Sequence, residues 1–215
     1  MKFNYRKLAV GIFTSLMLTG AANAGDLLVY SSTDADNLKY YMDNFQKDNP
    51  DIKVKVVRES TGTMAAKMMA EKDNPQADVL FEMAATVALK MENQGMFHPY
   101  TPKGMDKIDQ RYVDNEGEVN WVGNYGWAGC ICWNTIEAKK LGLPKPKSWA
   151  DLTNPIYKGL ISMPNPNSSG TGFLDVSSWI QVMGEDAAWT YMDALHKNVG
   201  VYTHSGSKPC KQSGS

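Results

Sequence analysis

The spacing of apolar residues changes along the chain, and each change marks an element. DLLVY, Asp26 to Tyr30, is a short apolar run ended by SST, as a buried strand would be. In DADNLKYYMDNFQKDNP, Leu38, Tyr41, Met42 and Phe45 recur at helical spacing until Asn49-Pro50 stops the helix. DIKVKVV alternates Ile52, Val54 and Val56 like a second strand. ESTGT opens a second helix through MAAKMMAEKDNP, ADVLF is a third strand, and AATVALKMENQG is a third helix ending at Gly95. Strands and helices joined this closely predict a parallel sheet with helices on its faces, an α/β fold.

From Met96 to Asn124 the pattern lapses into turns, and YGWAGCICWN then reads as a strand entering a second unit. All six tryptophans lie between Trp121 and Trp189, which places a boundary near residue 120. PKSWADL reads as a short helix, KGLISMP as a strand, LDVSSWIQVMG and EDAAWTYMDALHKN as helices, and VGVYTHSGSKP as a strand with a turn. No repeat interrupts this order. The sequence stops at CKQSGS after that turn, with no helix to cover the next sheet face, so a shortened second unit is expected.

The first 24 residues carry Lys2, Arg6 and Lys7, then a short apolar run, then Ala22-Asn23-Ala24 before Gly25. That is the layout of a cleaved secretory leader, and it predicts a periplasmic protein. No cysteine follows the cleavage site, so no lipid anchor is indicated. Removing the leader takes three basic residues and no acidic one, so 22 basic against 23 acidic becomes 19 against 23, a net charge of −4. A mildly acidic chain without Lys/Arg clusters argues against nucleic acid or anionic membrane as partner.

Cys130, Cys132 and Cys210 are the three cysteines. In an oxidising compartment one disulfide to Cys210 is reasonable, from either Cys130 or Cys132, which share a face if the segment is a strand. Three buried thiols fit the sequence equally well. C-x-C alone lacks partner ligands at zinc spacing, so no metal site is assigned.

Four hydroxyl-rich turns follow predicted strands: Ser31 to Asp34, Ser60 to Thr63, Ser168 to Gly172, and Ser205 to Lys208. Ligands in open α/β sheets sit beyond the carboxyl ends of strands, where helix N-termini offer free N–H groups to anions. Each turn alone is read as readily as a helix cap. With Arg58 and Arg111 the only arginines after the leader, an anion would be held chiefly by amides and hydroxyls, with Arg58 or Lys208 as charge partners. Tetrahedral phosphate or phosphonate suits such donors better than a flat carboxylate.

Three stretches, WVGNYGWAGCICWNT, LGLPKPKSWADLTNPIYKGLISMPNPNSSGTGFLDVSSWIQVMGEDAAW and YMDALHKNVGVYTHSGSKPC, together resemble the substrate-binding proteins of ABC importers. The THSGSKPC turn is similar to the branch that binds 2-aminoethylphosphonate, related to ferric-ion and polyamine binders. The resemblance covers Gly25 to Gln212, although such relatives are longer. It implies a type II periplasmic binding fold with mainly parallel sheets: lobe one over 25–124 and a partial lobe two over 125–215. It also implies a monomer that is no enzyme, needs no cofactor, and delivers a phosphonate to ABC permease subunits in the inner membrane.

Carried over by position, Ser31, Ser32, Ser60, Thr61, Ser168, Ser169, Gly170 and Thr171 line the anion half, with Ser205 and Ser207 at its rim. For an ammonium end, Glu82 comes first, then Asp34, Tyr125 and Trp127. Trp127 and Trp179 also read as ordinary core. Phosphosugar or phosphate binding on the same fold is the main alternative. For iron, Tyr40-Tyr41 is the only tempting pair, yet Tyr41 lies on the apolar helix face and reads as core, while His98 and His196 read as structural. Ser205-Gly206-Ser207-Lys208 matches the S-x-x-K of serine hydrolases, but its companion S-D-N and K-T-G motifs are missing.

Overall fold

The computed structural model describes residues 25–214; the leader read over residues 1–24 lies outside the described residues. β1 (Asp26–Ser31) is the middle strand of a parallel sheet, flanked by β2 (Lys53–Arg58) and β3 (Val79–Phe81). Val29 pairs with Val56 on one side and Val79 on the other. A central strand is covered on both faces, so Val29 and Tyr30 are each 2 % exposed and the run lacks polar alternation. Tyr30 anchors a core with Met64 and Met68 of α2 (Thr61–Ala70) and Met91 of α3 (Ala85–Glu92). Each such side chain stabilises the fold by about 1.5–3 kcal/mol through burial.

α1 (Ala35–Asp48) covers the other face and seats only Leu38 deeply. Tyr41 is 40 % exposed and leans edge-on against Phe81, with ring centroids 5.5 Å apart. The reading of Tyr41 as core is therefore corrected: a three-stranded sheet is too narrow to bury the whole apolar stripe. β2 departs similarly, since Val57 packs on the core while Val56 stays exposed.

The second unit pairs β4 (Ile161–Pro164) with β5 (Val199–Thr203) in parallel, crossing over through α5 (Gly170–Met183) and α6 (Glu185–His196). Its core joins Trp179, Ala188, Tyr191, Leu195 and Leu152. Trp179 meets Trp149 and Tyr191 edge-on, at centroid distances of 5.6 and 5.1 Å. The buried Asn198 side chain donates to the carbonyls of Leu152 and Asn154, fixing the chain that enters β4.

Between the units, the YGWAGCICWN segment is not a strand but an irregular crossing, which ends where Asn134 caps α4 (Thr135–Leu141). PKSWADL forms a 3-10 turn over Ala150–Thr153. A short helix, α7 (Lys208–Ser213), does follow the last turn, contrary to the expectation that none would. Cys132 and Cys210 form a disulfide that ties the crossing segment to α7, and Cys130 is an exposed free thiol. Among the described residues, no helix is long and apolar enough to cross a membrane.

Candidate functional site

Among the described residues the five strands run parallel to their neighbours within each sheet, so their carboxyl ends gather the turns that follow them. Ser32 and Thr33 leave β1, Ser60 leaves β2, Glu82 leaves β3, Ser169 precedes α5 beyond β4, and Ser205 leaves β5. Direct contacts join these turns. Thr61 Oγ1 donates to Ser32 Oγ at 3.1 Å, and Ser32 Oγ donates to the Glu82 carbonyl at 3.0 Å. The Gly62 amide, in the first turn of α2, donates to the Ser168 carbonyl at 2.9 Å. The positive ends of α2 and α5 therefore face the same place.

Two glycines make this approach possible. A Cβ on Gly62 would lie 2.1 Å from the Asn167 carbonyl oxygen, and one on Gly206 would lie 2.0 Å from Thr171 Oγ1. The first obstacle is backbone and cannot swing aside.

The donor state of the site is uneven. Ser169 Oγ accepts from the Gly172 amide, and the Ser169 carbonyl accepts from Phe173, so the α5 cap is closed at those two amides. The amides of Gly170 and Thr171 have no partner among the described residues, as the first turn of a helix dictates. Ser60 is 4 % exposed, and its hydroxyl has no hydrogen-bond partner among the described residues although Ser60 lines the cleft. A buried hydroxyl left single is costly, on the order of 1–3 kcal/mol, unless a ligand supplies the missing partner.

Charge is held at the rim. Arg58 donates through Nε to the Thr33 carbonyl at 2.9 Å, and its Nη2 lies 3.8 Å from Asp34. Asp34 also accepts from Ser207 Oγ at 2.9 Å and sits 3.4 Å from Lys211 Nζ. One carboxylate at the head of α1 thus ties β1, β2 and α7 together. Thr33 Oγ1 lies 3.4 Å from the Tyr125 hydroxyl, which brings the crossing segment to the same edge.

Glu82 is the one non-glycine residue at positive φ among the described residues, at 54°. Holding a side chain in that left-handed region costs on the order of 1–3 kcal/mol, and such strain gathers at functional sites. Its Oε1 accepts from Asn124 Nδ2, while Oε2 is out of water without a partner.

A cavity of about 1970 Å³ opens from these turns. That exceeds the roughly 300–1,000 Å³ of small-molecule sites. The cavity lining also includes the apolar side chains of Trp127, Trp133, Leu141, Leu160 and Phe173.

Of the residues singled out from sequence, Ser32, Ser60, Thr61, Glu82, Trp127, Ser169, Gly170, Thr171, Ser205 and Ser207 line this cleft. Ser31 does not: it is 0 % exposed and its hydroxyl accepts from the Thr33 amide, a local turn bond. The side chain of Ser168 turns away to donate to the His204 carbonyl. Trp127 is 41 % exposed, so the core reading holds for Trp179 but not for Trp127. Ser205 makes no hydrogen bond with Lys208 among the described residues; its carbonyl accepts from Thr203. Asn124 and Lys211 are the polar site neighbours that sequence reading missed. Asn124 carries no motif, and Lys211 was hidden because α7 was not foreseen.

Residues 74–213 match the family model for the bacterial extracellular solute-binding proteins. The chain belongs to this family. A Haemophilus influenzae protein of unassigned role is 33 % identical over 99 % of this chain and 63 % of its own length. A probable ABC transporter periplasmic-binding protein of Sinorhizobium fredii is 26 % identical, covering 90 % of this chain and 54 % of itself. The chain therefore spans between a half and two thirds of these relatives' own length. Among solved structures, the periplasmic binding protein AfuA of Actinobacillus pleuropneumoniae, with fructose-6-phosphate bound, is 32 % identical. It superposes with a TM-score of 0.76 over 88 % of this chain and 60 % of that one. The periplasmic binding protein P5PA follows at 27 % identity and a TM-score of 0.70, over 84 % of this chain and 58 % of that one. Iron-bound HitA of Pseudomonas aeruginosa, at 22 % identity and a TM-score of 0.65 over 83 % of this chain and 56 % of that one, shares the fold. The family and the periplasmic binding proteins AfuA and P5PA are solute binders, not enzymes, and they fit the α/β architecture described above.

Proposed function

We propose that this chain is the solute-binding component of an ABC importer, and that it grips a small molecule by a phosphate or phosphonate group. In this reading the leader directs it to the periplasm. Lobe one spans 25–124, lobe two begins at 125, and the loaded monomer docks on permease subunits. The observation that carries the reading is the meeting of the α2 and α5 N-termini around the unpartnered Ser60 hydroxyl. Open first-turn amides at Gly170 and Thr171, two helix ends of positive potential, and a hydroxyl lacking an acceptor together make a receptor for acceptor oxygens. Arg58 is already engaged by Thr33 and Asp34, so the grip depends on neutral dipoles.

The similarity to AfuA with fructose-6-phosphate supports a phosphosugar. 2-Aminoethylphosphonate belongs to the same chemical class and fits the same donors. Thermal unfolding with each compound tests the proposal: a ligand present at 100 times its Kd stabilises the native chain by about 2.7 kcal/mol. No stabilisation by any phosphorus oxyanion, or equal stabilisation of a Ser60→Ala chain, would count against it.

A further inference from the structure

Resting on that anion cradle, we infer that Glu82 selects the solute by its other end, requiring a hydrogen-bond donor there. Glu82 closes β3 one hydrogen bond from the cradle, since Ser32 Oγ accepts from Thr61 and donates to the Glu82 carbonyl. The chain turns there through a left-handed backbone at φ 54°, a shape glycine would adopt without strain. A glutamate kept in a glycine conformation has a side chain that is needed at that spot. Its carboxylate is half satisfied: Asn124 serves Oε1, and Oε2 has no partner. No lysine or arginine pairs with it among the described residues, whereas Asp34 holds Ser207 and lies near Arg58 and Lys211.

A negative group beside a site for anions repels a bare dianion and rewards a solute that brings its own donor. Glu82 therefore sorts phosphorus compounds bearing a hydroxyl or an ammonium from those bearing only carbon. The two donors are separable by substitution. Glu82→Gln keeps an acceptor oxygen but removes the charge, while Glu82→Ala removes both.

The full chain is titrated calorimetrically with fructose-6-phosphate, 2-aminoethylphosphonate and ethylphosphonate. With Glu82→Ala, affinity for the donor-bearing solute the protein takes falls on the order of tenfold to a hundredfold, and affinity for ethylphosphonate holds or rises as the repulsion is lifted. With Glu82→Gln, an ammonium solute loses at least tenfold and a hydroxyl solute much less. Glu82→Gly keeps the fold, read as an unchanged or raised Tm, and loses the same selectivity. Equal loss for all three compounds, or none, overturns the role of Glu82 while leaving the cradle standing. If the unaltered chain binds none of the three, the cradle itself fails and this inference with it.

Discussion

The amide of Gly62 donates to the carbonyl of Ser168 at 2.9 Å, so the first turn of a helix in one sheet unit is bonded to the loop entering a helix in the other. This bond fixes the distance between the two helix ends. Gly62→Ala puts a methyl group 2.1 Å from the Asn167 carbonyl oxygen, which only a shift of backbone can relieve. Overpacking of this kind costs roughly 1–3 kcal/mol. Chemical denaturation is expected to show that loss, with solute affinity falling alongside.

Ser60 and Ser169 make opposite forecasts although both are buried serines at helix starts. Ser169 caps α5 through Gly172, so Ser169→Ala costs about 1 kcal/mol of stability. Ser60 Oγ bonds to nothing in the described chain, so Ser60→Ala leaves stability unchanged or slightly raised. Its effect falls on binding instead, by about 1.5–3 kcal/mol if the hydroxyl meets a charged oxygen. Paired unfolding and titration curves check both halves.

The alternation of strands and helices up to Gly95 was legible because each period there is set by burial on a sheet face. The four turns were legible for the same reason: chain order puts them all at carboxyl ends of strands. What the residues could not show is which hydroxyls look inward. Ser31 and Ser32 are neighbours of one kind, yet only Ser32 lines the cleft, because Ser31 is the last residue of a strand buried on both faces while Ser32 follows it. The crossing from Gly123 to Trp133 has strand-like residues but forms no strand, and tertiary context overrides propensity there. The backbone of Glu82 carries no sequence signal, since glycine is what that conformation normally selects.

The Cys132–Cys210 bridge, 78 residues apart in sequence, settles a pairing that spacing left open between Cys130 and Cys132. Closing so long a loop stabilises the native state by about 4 kcal/mol in the chain-entropy view. Double replacement of Cys132 and Cys210 by alanine is expected to cost that much in chemical denaturation. Cys130, being exposed, takes one alkylating group without reductant, and the other two thiols react only after reduction.

Burial pushes the Asp175 carboxyl up to about 6. The carboxylate lies against Gly129, where a Cβ would come within 2.3 Å of Oδ1. Because the folded chain binds this proton more tightly than the unfolded one, the group's contribution is greatest below about pH 4 and is lost as pH rises to about 6. Asp175→Asn removes the charged form, so the variant gains stability at pH 7 to 8. The gain is on the order of 1–2 kcal/mol after solvent screening. The difference between the two chains should shrink toward pH 4. A difference that grows on acidification would reverse the assignment.

In the proposed binding mode, neutral dipoles at two facing helix ends hold a phosphorus oxyanion. Isothermal titration of the full chain with fructose-6-phosphate and with fructose tests it most directly, because the two solutes differ only in that group. We predict that the phosphorylated sugar binds at least a hundredfold more tightly, with Ser60→Ala narrowing the gap. Equal affinity for the two sugars, or a gap untouched by that substitution, points to a different mode of binding.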